Sequence, residues 1–162
     1  MTDAPRRLSP DEVGAVAALA RTVWQATYPA LISQAQIDAM LADRYAPARI
    51  HSQLDDPCHA WWVVGLPPAG FAHVFTDSNA AKLDKLYVHP GRQRRGLGAA
   101  LLRACAGWAR AQNLPVLRLQ VNRGNTRAIR AYEKYGLRIV ESRVFDIGDG
   151  YVMDDHVMEM RL

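Results

Sequence analysis

The sequence is poor in cysteine, and none of its apolar runs is long enough to cross a membrane. Its two cysteines, Cys58 and Cys105, lie far apart and match neither a metal-ligand nor a redox spacing. The five histidines form no metal-binding pattern either. The apolar runs are shorter than the roughly 18 residues of a membrane span, and residues 1–7 lack the apolar core of a signal peptide. We therefore expect reduced thiols, a cytoplasmic location, no metal and no membrane partner.

Acidic residues are scarce in the middle of the chain and concentrated near its end. Residues 82–138 hold 13 Lys or Arg against two acids, whereas residues 141–162 hold six acids against two bases. A basic middle suits a polyanionic cofactor and an acidic end suits a cationic substrate, although each single charge is equally well explained as solvated surface. Because the aromatic residues are not interleaved with the bases, we expect no nucleic-acid partner.

The 162 residues are expected to form a single domain, residues 1–162. Apolar periodicity and turn signals predict a mixed α+β fold. The predicted helices cover residues 10–27, 33–42, 47–54, 94–111 and 125–135. The predicted strands cover residues 6–8, 60–65, 70–75, 82–88, 116–121, 137–147 and 155–161.

A glycine-spaced basic turn follows the strand predicted at residues 82–88. It covers residues 93–98, with the sequence Gln-Arg-Arg-Gly-Leu-Gly, and leads into a helix. The first N–H groups of a helix lack partners and lie at the positive end of its dipole, and Gly96 and Gly98 carry no side chain that would block an anion. The spacing fits neither the phosphate loop G-x-x-x-x-G-K-[ST] nor the dinucleotide fingerprint G-x-G-x-x-G. The turn predicts a pyrophosphate site; a plain strand-to-helix turn is the alternative.

These residues resemble the Q/R-x-x-G-x-G/A signature of the GNAT superfamily of acetyl-CoA-dependent N-acetyltransferases. Residues 125–137 are similar to the second signature of the superfamily, N-x-x-A-I-x-x-Y-x-x-x-G-F, with Leu137 in place of the final Phe. The resemblance covers residues 80–162. It implies a mostly antiparallel sheet flanked by helices, with a V-shaped splay between two central parallel strands. It also implies acetyl-CoA as co-substrate and direct attack by a primary amine in a ternary complex.

The resemblance assigns roles to individual residues. The strand before the turn pairs its backbone with the pantetheine arm, and the Val88 N–H polarises the thioester oxygen. Tyr132 is the expected proton donor to the leaving thiolate, a role that suits a pKa near 10, or it is an aromatic side chain packed on the sheet. Asn125 caps its helix and hydrogen-bonds pantetheine, or it only caps its helix. The expected cofactor-binding residues are Leu86, Tyr87, Val88, Gln93, Arg94, Arg95, Gly96, Leu97, Gly98, Ala99 and Asn125.

The general base is not where one branch of the family has it. Ribosomal-protein alanine N-acetyltransferases place a catalytic Glu five residues before the Asn, and this sequence has Gln120 there, whose amide cannot accept a proton. Asp84 is the expected base, because strand alternation places it on the same face as Leu86 and Val88. A surface carboxylate paired with a neighbouring lysine is the alternative. Water can also serve, since a desolvated amine loses its proton readily.

The whole chain looks similar to a bacterial GNAT branch that includes polyamine acetyltransferases, through residues 23–28, 32–41, 82–88 and 148–160. The acidic end could attract a multivalent cation, although a turn rich in Asp and Gly is often only a turn. We expect a polyamine or another small primary amine as acceptor. A peptide or protein N-terminal acetyltransferase and a non-catalytic acetyl-CoA-binding domain are the alternatives. Because relatives often form dimers, the resemblance allows a homodimer. The acids in question are Asp146, Asp149, Asp154 and Asp155.

Overall fold

The computed structural model describes residues 4–93 and 95–162. Within these ranges seven strands form one sheet, with helices on both of its faces. The strands are β1 (Arg6–Arg7), β2 (His59–Val64), β3 (Gly70–Asp77), β4 (Ala80–Val88), β5 (Val116–Asn122), β6 (Arg138–Gly148) and β7 (Tyr151–Arg161). The helices are α1 (Val13–Thr27), α2 (Gln34–Arg44), α3 (Pro47–Leu54), α4 (Leu97–Ala111) and α5 (Thr126–Tyr135). Arg94, one of the expected cofactor-binding residues, lies outside the described residues.

The sheet is antiparallel except at its centre. Its strand order is β1-β2-β3-β4-β5-β7-β6, and only the β4–β5 pair is parallel. That pairing is short, since it joins Ala81–Leu83 of β4 to Leu117–Leu119 of β5 and then stops. The remaining halves of the two strands diverge. The predicted fold class and the predicted V-shaped splay are therefore confirmed.

A β-bulge interrupts β4 just where the splay begins. On β3, His73 lies opposite Lys85 and the next residue, Val74, lies opposite Leu83, so Asp84 is an extra residue with no cross-strand partner. The extra residue reverses the alternation of side chains. Asp84 consequently lies on the opposite face of the sheet from Leu86 and Val88, and the predicted shared face was wrong for this reason.

Two apolar cores hold the sheet from its two faces. On the face that we call the α4 side, α4 and α5 contribute buried residues such as Leu101 and Ile129. On the other face, the α1 side, Trp24 of α1 and Ile37 of α2 pack with Trp61 of β2. Each fully buried large apolar side chain contributes roughly 1.5–3 kcal/mol, so the two cores hold β4 from both faces. The splay is the gap between β4 and β5 beyond their short pairing, and it connects the two faces.

The first two long helices begin at local signals read from the sequence. The Ser33 hydroxyl accepts the Gln36 N–H at 3.1 Å and caps α2. At the first helix, the Ser9 N–H donates to the Glu12 carboxylate at 3.3 Å, but the opening turn is a 3-10 turn and α1 starts at Val13. No helix in the described ranges is both long and apolar enough to cross a membrane.

The starts of α4 and β7 differ from the predicted ones, the first because of a left-handed glycine and the second because of pairing with another strand. Helix α4 begins at Leu97 rather than at residue 94, because Gly96 adopts a left-handed φ of +77° immediately before it. Strand β7 begins at Tyr151 rather than at residue 155, because its first residues pair with the end of β6 across a tight hairpin. The earlier start of β7 decides which face each of its acids occupies.

Candidate active site

A cavity of about 930 Å³ opens where β4 and β5 diverge. The N-terminal end of α4 and one face of α5 wall it on the α4 side, and parts of α1 and α2 wall it on the α1 side. Strand β7 adds Met153 and Asp155, and the end of β6 adds Ile147. The splay therefore connects an anion-binding helix end to residues on the opposite face of the sheet.

The turn that leads into α4, residues 93–98, is called the α4 turn here, and its helical end has the geometry of an anion site. The first intrahelical hydrogen bond runs from the Ala100 N–H to the Gly96 carbonyl at 3.0 Å, so the N–H groups of Leu97, Gly98 and Ala99 precede it and have no intrahelical acceptor. A Cβ added at Gly96 would meet no atom within 4 Å, which leaves open space beside these donors. The N-terminal end of α4 thus fits a diphosphate.

Cations around this turn add to the field of the helix. Arg95 is exposed beside Gly96. Arg127 and Lys134 of α5 also line the cavity, and neither was among the predicted site residues. The basic residues of the α5 motif could have indicated these two positions, but from the sequence alone they are interpreted only as part of the positive charge of residues 82–138.

Gln93 binds the protein itself. Its amide nitrogen donates to the Val88 carbonyl at 3.1 Å, which ties the α4 turn to the end of β4. This contact occupies the Val88 carbonyl and leaves the N–H of that residue as its remaining backbone polar group. Gln93 therefore positions the strand end, and its predicted contact with the cofactor stays a prediction.

The end of β4 presents backbone groups to the splay. The His89 N–H donates to the Ala69 carbonyl of the preceding loop at 2.7 Å, and in an antiparallel pair alternate residues bond to the same neighbour. The backbone groups of Leu86 and the N–H of Val88 consequently point away from β3, toward the side from which β5 has diverged. This edge can accept an extended chain such as a pantetheine arm.

Tyr87 has a different position from its two neighbours. It lies opposite Phe71 in the β3–β4 pairing, so its backbone belongs to the alternate set that faces β3. Its hydroxyl lies 2.9 Å from the Tyr28 hydroxyl on the α1 side, and burial raises the pKa of the Tyr87 phenol. Tyr87 thus lines the cavity through its side chain, whereas we had expected a backbone contact.

Asn125 and Tyr132 sit on α5 at the cavity wall. The Asn125 side chain accepts the Ala128 N–H at 3.4 Å and caps the helix, as both of its interpretations predicted, and its contact with pantetheine stays a prediction. Tyr132 is half-buried and packs against the α4-side core. Burial raises the pKa of its phenol, so the hydroxyl is protonated at neutral pH and is available as a donor.

Asp84 is held by two cations, Arg44 and Lys85, and by the neutral ring of His73. Its carboxylate lies 3.1 Å from Arg44 Nη2, 2.5 Å from Lys85 Nζ and 3.3 Å from His73 Nδ1. Burial alone would raise its pKa, but Arg44, His73 and Lys85 hold the pKa of Asp84 well below its usual value. A carboxylate stabilised in this way is a weak proton acceptor. The geometry therefore favours the ion-paired alternative over the role of base, with the pairing buried instead of at the surface.

The partners of Asp84 are themselves shifted by burial. Burial lowers the pKa of Lys85 to about 8, against the raising effect of Asp84. It also lowers the pKa of His73 to about 4, so that ring is neutral near pH 7. His73 lies 2.9 Å from His59, with its Nε2 facing His59 Nδ1. These contacts make the bulge a tightly paired polar core that spans β2, β3, β4 and α2.

Asp155 is a cavity residue whose position the sequence did not reveal. Its side chain is buried, with 4% of its surface exposed, and its Oδ1 has no hydrogen-bond partner among the described residues. Burial and the neighbouring Asp154 raise its pKa to about 6, against the lowering effects of Arg44, Lys82 and Gln120. An alternation count from the true start of β7 could have placed it beside Gln120.

Asp146, Asp149 and Asp154, the other three aspartates expected to attract a cation, are not among the residues that line the cavity. Asp146 accepts the Gly148 N–H at 2.9 Å within the β6–β7 turn, and Asp149 occupies a left-handed position of that turn with a φ of +53°. Asp154 pairs with Arg123 at 3.1 Å. The acidic segment is therefore largely a hairpin turn, as its alternative interpretation held, with one buried exception.

Comparisons with known proteins agree with this geometry. Residues 20–137 match the acetyltransferase (GNAT) family. Uncharacterized N-acetyltransferases of Mycobacterium tuberculosis and Mycobacterium bovis are each 33% identical over an alignment of 165 residues, which covers 100% of this chain and 99% of the relative.

Solved structures show the same fold. The PaiA N-acetyltransferase of Thermoplasma acidophilum, in complex with coenzyme A, superposes with a TM-score of 0.86 at 21% identity over 100% of both chains. The ribosomal-protein-S18-alanine N-acetyltransferase of Escherichia coli superposes with a TM-score of 0.71 at 20% identity, over 97% of this chain and 92% of that one. The predicted superfamily is confirmed, and this chain belongs to the GNAT family as an acetyl-CoA-dependent N-acetyltransferase.

Proposed function

We propose that the protein transfers the acetyl group of acetyl-CoA to the primary amine of a small cationic molecule, such as a polyamine, by direct attack in a ternary complex. One observation carries this proposal. A single cavity joins the anion-binding end of α4 to a buried carboxylate, Asp155, across the splay of β4 and β5. Cofactor and amine can therefore occupy the same cavity from opposite faces of the sheet.

The α4 side is suited to the cofactor. The N–H groups at the start of α4 would hold the pyrophosphate, and the backbone of Leu86 would pair with the pantetheine arm. Bound acetyl-CoA supplies an activated acetyl group as its thioester. The Val88 N–H donates to the thioester oxygen and stabilises the charge that develops there, and the Tyr132 hydroxyl donates its proton to the departing sulfur.

The α1 side is suited to a single ammonium group. Asp155 is buried there and one of its carboxylate oxygens has no hydrogen-bond partner among the described residues. Arg44 and Lys82 lie close enough to lower its pKa. These positive charges disfavour a second ammonium inside the cavity. A polyamine would therefore insert one terminal ammonium and extend the rest of its chain toward the β6–β7 hairpin, which carries the exposed Asp146 and Asp149.

The proposed setting is the cytoplasm. Both cysteines are free thiols, with Cys58 exposed and Cys105 buried, which supports a reducing compartment.

A thiol-release assay tests the acceptor class. The protein and acetyl-CoA are mixed with spermidine, spermine, small amino acids, aminoglycosides and short N-terminal peptides, each across a concentration series. We expect turnover with the polyamines or other small primary amines. Turnover restricted to peptides would overturn the proposed substrate class and favour N-terminal acetylation. An increase in melting temperature with acetyl-CoA, measured in parallel, shows that the cofactor site is intact whichever amine reacts.

A further inference from the structure

Asp155 lies on the α1 side of the sheet, the face that the proposed function assigns to the acceptor amine. It lies opposite Asn122 in the β5–β7 pairing, and residues that face each other across an antiparallel pair share one face. Gln120, two residues before Asn122, is on that face as well and accepts a hydrogen bond from Lys82 Nζ at 2.7 Å. Asp155 therefore points to the α1 side of the splay, across β5 from the strand that carries the thioester-polarising N–H.

The surroundings of Asp155 leave its charge only partly compensated. From other elements it faces Lys82 of β4, Arg44 of α2 and Gln120 of β5, all of which favour its ionised form. Asp154, on its own strand, opposes that form, and Arg143 of β6 lies opposite in the strand pairing. The Arg143 guanidinium, however, lies 3.4 Å from Glu141 and over the Phe145 ring.

Neither of the two nearby cations is committed to Asp155. Arg44 Nη2 contacts both the carboxylate and the backbone carbonyl of Asp84, and Lys82 Nζ donates to Gln120. Asp155 Oδ1 is buried and has no donor among the described residues. A buried carboxylate oxygen without a donor is unfavourable. Because Asp155 is one of the residues that line the cavity, a donor group brought by a ligand would relieve this.

We propose that Asp155 binds the ammonium group of the acceptor amine and accepts its proton, an inference that rests on the proposed amine acetylation. One N–H proton of the ammonium passes to Asp155 Oδ1 and leaves to solvent from there. The freed nitrogen lone pair forms the bond to the acetyl carbon, and the carbon–sulfur bond breaks with its electron pair on sulfur. The sulfur takes the Tyr132 proton, and the second N–H proton lost by the amine returns to the Tyr132 oxygen through solvent.

Asp155→Asn tests this role, and Asp154→Asn is the matched control. Both replace an aspartate of β7 by its neutral isostere, but Asp154 is exposed and paired with Arg123. With the best amine of the panel, Asp155→Asn is expected to lower kcat/KM at pH 7 by about 100-fold. The loss should shrink as the pH rises above 9, because a growing fraction of the free amine is then already deprotonated. Asp154→Asn should change kcat/KM by less than about twofold.

The pH profile distinguishes a catalytic carboxylate from a structural one. The wild-type kcat/KM should show an ionisation near pH 6 that is missing in Asp155→Asn, whereas the ionisation of the free amine appears in both. Retention of kcat/KM within about threefold, with an unchanged profile, would overturn the proposal. So would a loss at pH 7 that persists in equal measure above pH 9.

A binding measurement covers the case in which Asp155→Asn does not fold. The carboxyl carbon of Asp155 is titrated by NMR in the wild-type complex with coenzyme A, with and without the amine. A bound ammonium should move the titration midpoint to lower pH, and an unmoved midpoint overturns the proposal. Wild-type protein that binds acetyl-CoA but turns over none of the amines instead contradicts the proposed function, and the proton-transfer role fails with it.

Discussion

Two aspartates on the α1 side of the sheet, Asp84 and Asp155, have opposite environments. The Asp84 side chain is half-buried, with 21% of its surface exposed, whereas Asp155 is buried. Asp84 contacts three nitrogen groups within 3.3 Å, and its pKa lies well below the usual value. Asp155 has one oxygen without a partner, and its pKa is raised to about 6. Burial alone therefore does not make a carboxylate a base. Its pKa depends on whether the protein places positive groups against it.

The largest expected effect is on stability at the bulge. Asp84→Ala would leave Lys85, which is 3% exposed, and Arg44 without their carboxylate. Breaking a buried ion pair in this way typically costs about 3–5 kcal/mol. Urea denaturation should show this decrease in the free energy of unfolding.

The exposed pair formed by Asp43 and Arg49 provides the control for that measurement. Asp43→Ala should cost at most about 1 kcal/mol, because exposed ion pairs contribute little. Equal losses for Asp84→Ala and Asp43→Ala would contradict the structural role given to Asp84.

The pH dependence of stability should have opposite signs at the two aspartates. The folded-state pKa of Asp155, about 6, exceeds an unfolded value of roughly 4, so the wild type loses stability from this group as the pH rises from 4 to 7. The full difference approaches about 3 kcal/mol. Asp155→Asn, which has no such ionisation, should therefore become more stable than the wild type toward neutral pH.

Asp84 should behave in the reverse way. Its folded-state pKa is depressed, so its contribution is present above the unfolded pKa and is lost as the pH falls through the folded one. Asp84→Asn should be less stable than the wild type at pH 7, with a gap that narrows in acid. Thermal denaturation of both variants from pH 2 to 8 measures the two slopes, the Asp84 slope below about pH 4 and the Asp155 slope between about pH 4 and 7. Slopes of the same sign would contradict the opposite environments assigned to the two aspartates.

A substitution at Tyr132 in the cavity wall should change kcat more than it changes the free energy of unfolding. Tyr132→Phe removes the expected proton donor and should lower kcat by about 100-fold, or about 2.7 kcal/mol. The increase in melting temperature with acetyl-CoA should remain. Tyr135→Phe, one turn later on α5, is the matched control and should keep its activity. An unchanged kcat for Tyr132→Phe would mean that another group protonates the sulfur.

The smallest expected effect is a shift of the Asp155 ionisation. Lys82 lowers the pKa of Asp155, so Lys82→Met should raise it and move the acidic limb of the kcat/KM profile upward by about half a pH unit. Arg103→Met removes an exposed charge on α4 and should leave that limb in place. A downward shift with Lys82→Met would show that Lys82 acts on a different group.

Local sequence was sufficient where the chemistry is local. Ser33 caps α2 through a residue three positions away, Asn125 does the same for α5, and Gly96 adopts the left-handed conformation that precedes α4. The order of helices and strands and the two signatures of residues 93–98 and 125–137 predicted the GNAT fold and its splay. The caps and the Gly96 conformation depend on contacts within a few residues, and the order of elements depends on periodicity along each of them. The splay between β4 and β5 was predicted from the resemblance to the family.

The predicted face of Asp84 was wrong because of the register between β3 and β4. Alternation along β4 assumed a regular strand, and the single extra residue between Leu83 and Lys85 moves Asp84 to the opposite face of the sheet. The sequence does not mark this bulge, because it arises from how β4 aligns with β3. Lys85 is its neighbour in the chain, but the other two partners of the carboxylate, Arg44 and His73, come from α2 and β3.

The sequence alone identified the superfamily, through the resemblance of residues 93–98 and 125–137 to its two signatures. It also determined the left-handed Gly96 before α4 and the Asn125 cap of α5, because short-range backbone geometry produces both. Only the tertiary structure decided which carboxylate is neutralised and which remains unpaired. The electrostatic free energy of a buried charge depends on all the groups packed around it, and those groups come from β3, β4, β5, β7 and α2. Asp84 and Asp155 are chemically identical in the sequence, and the packing of these elements made them different.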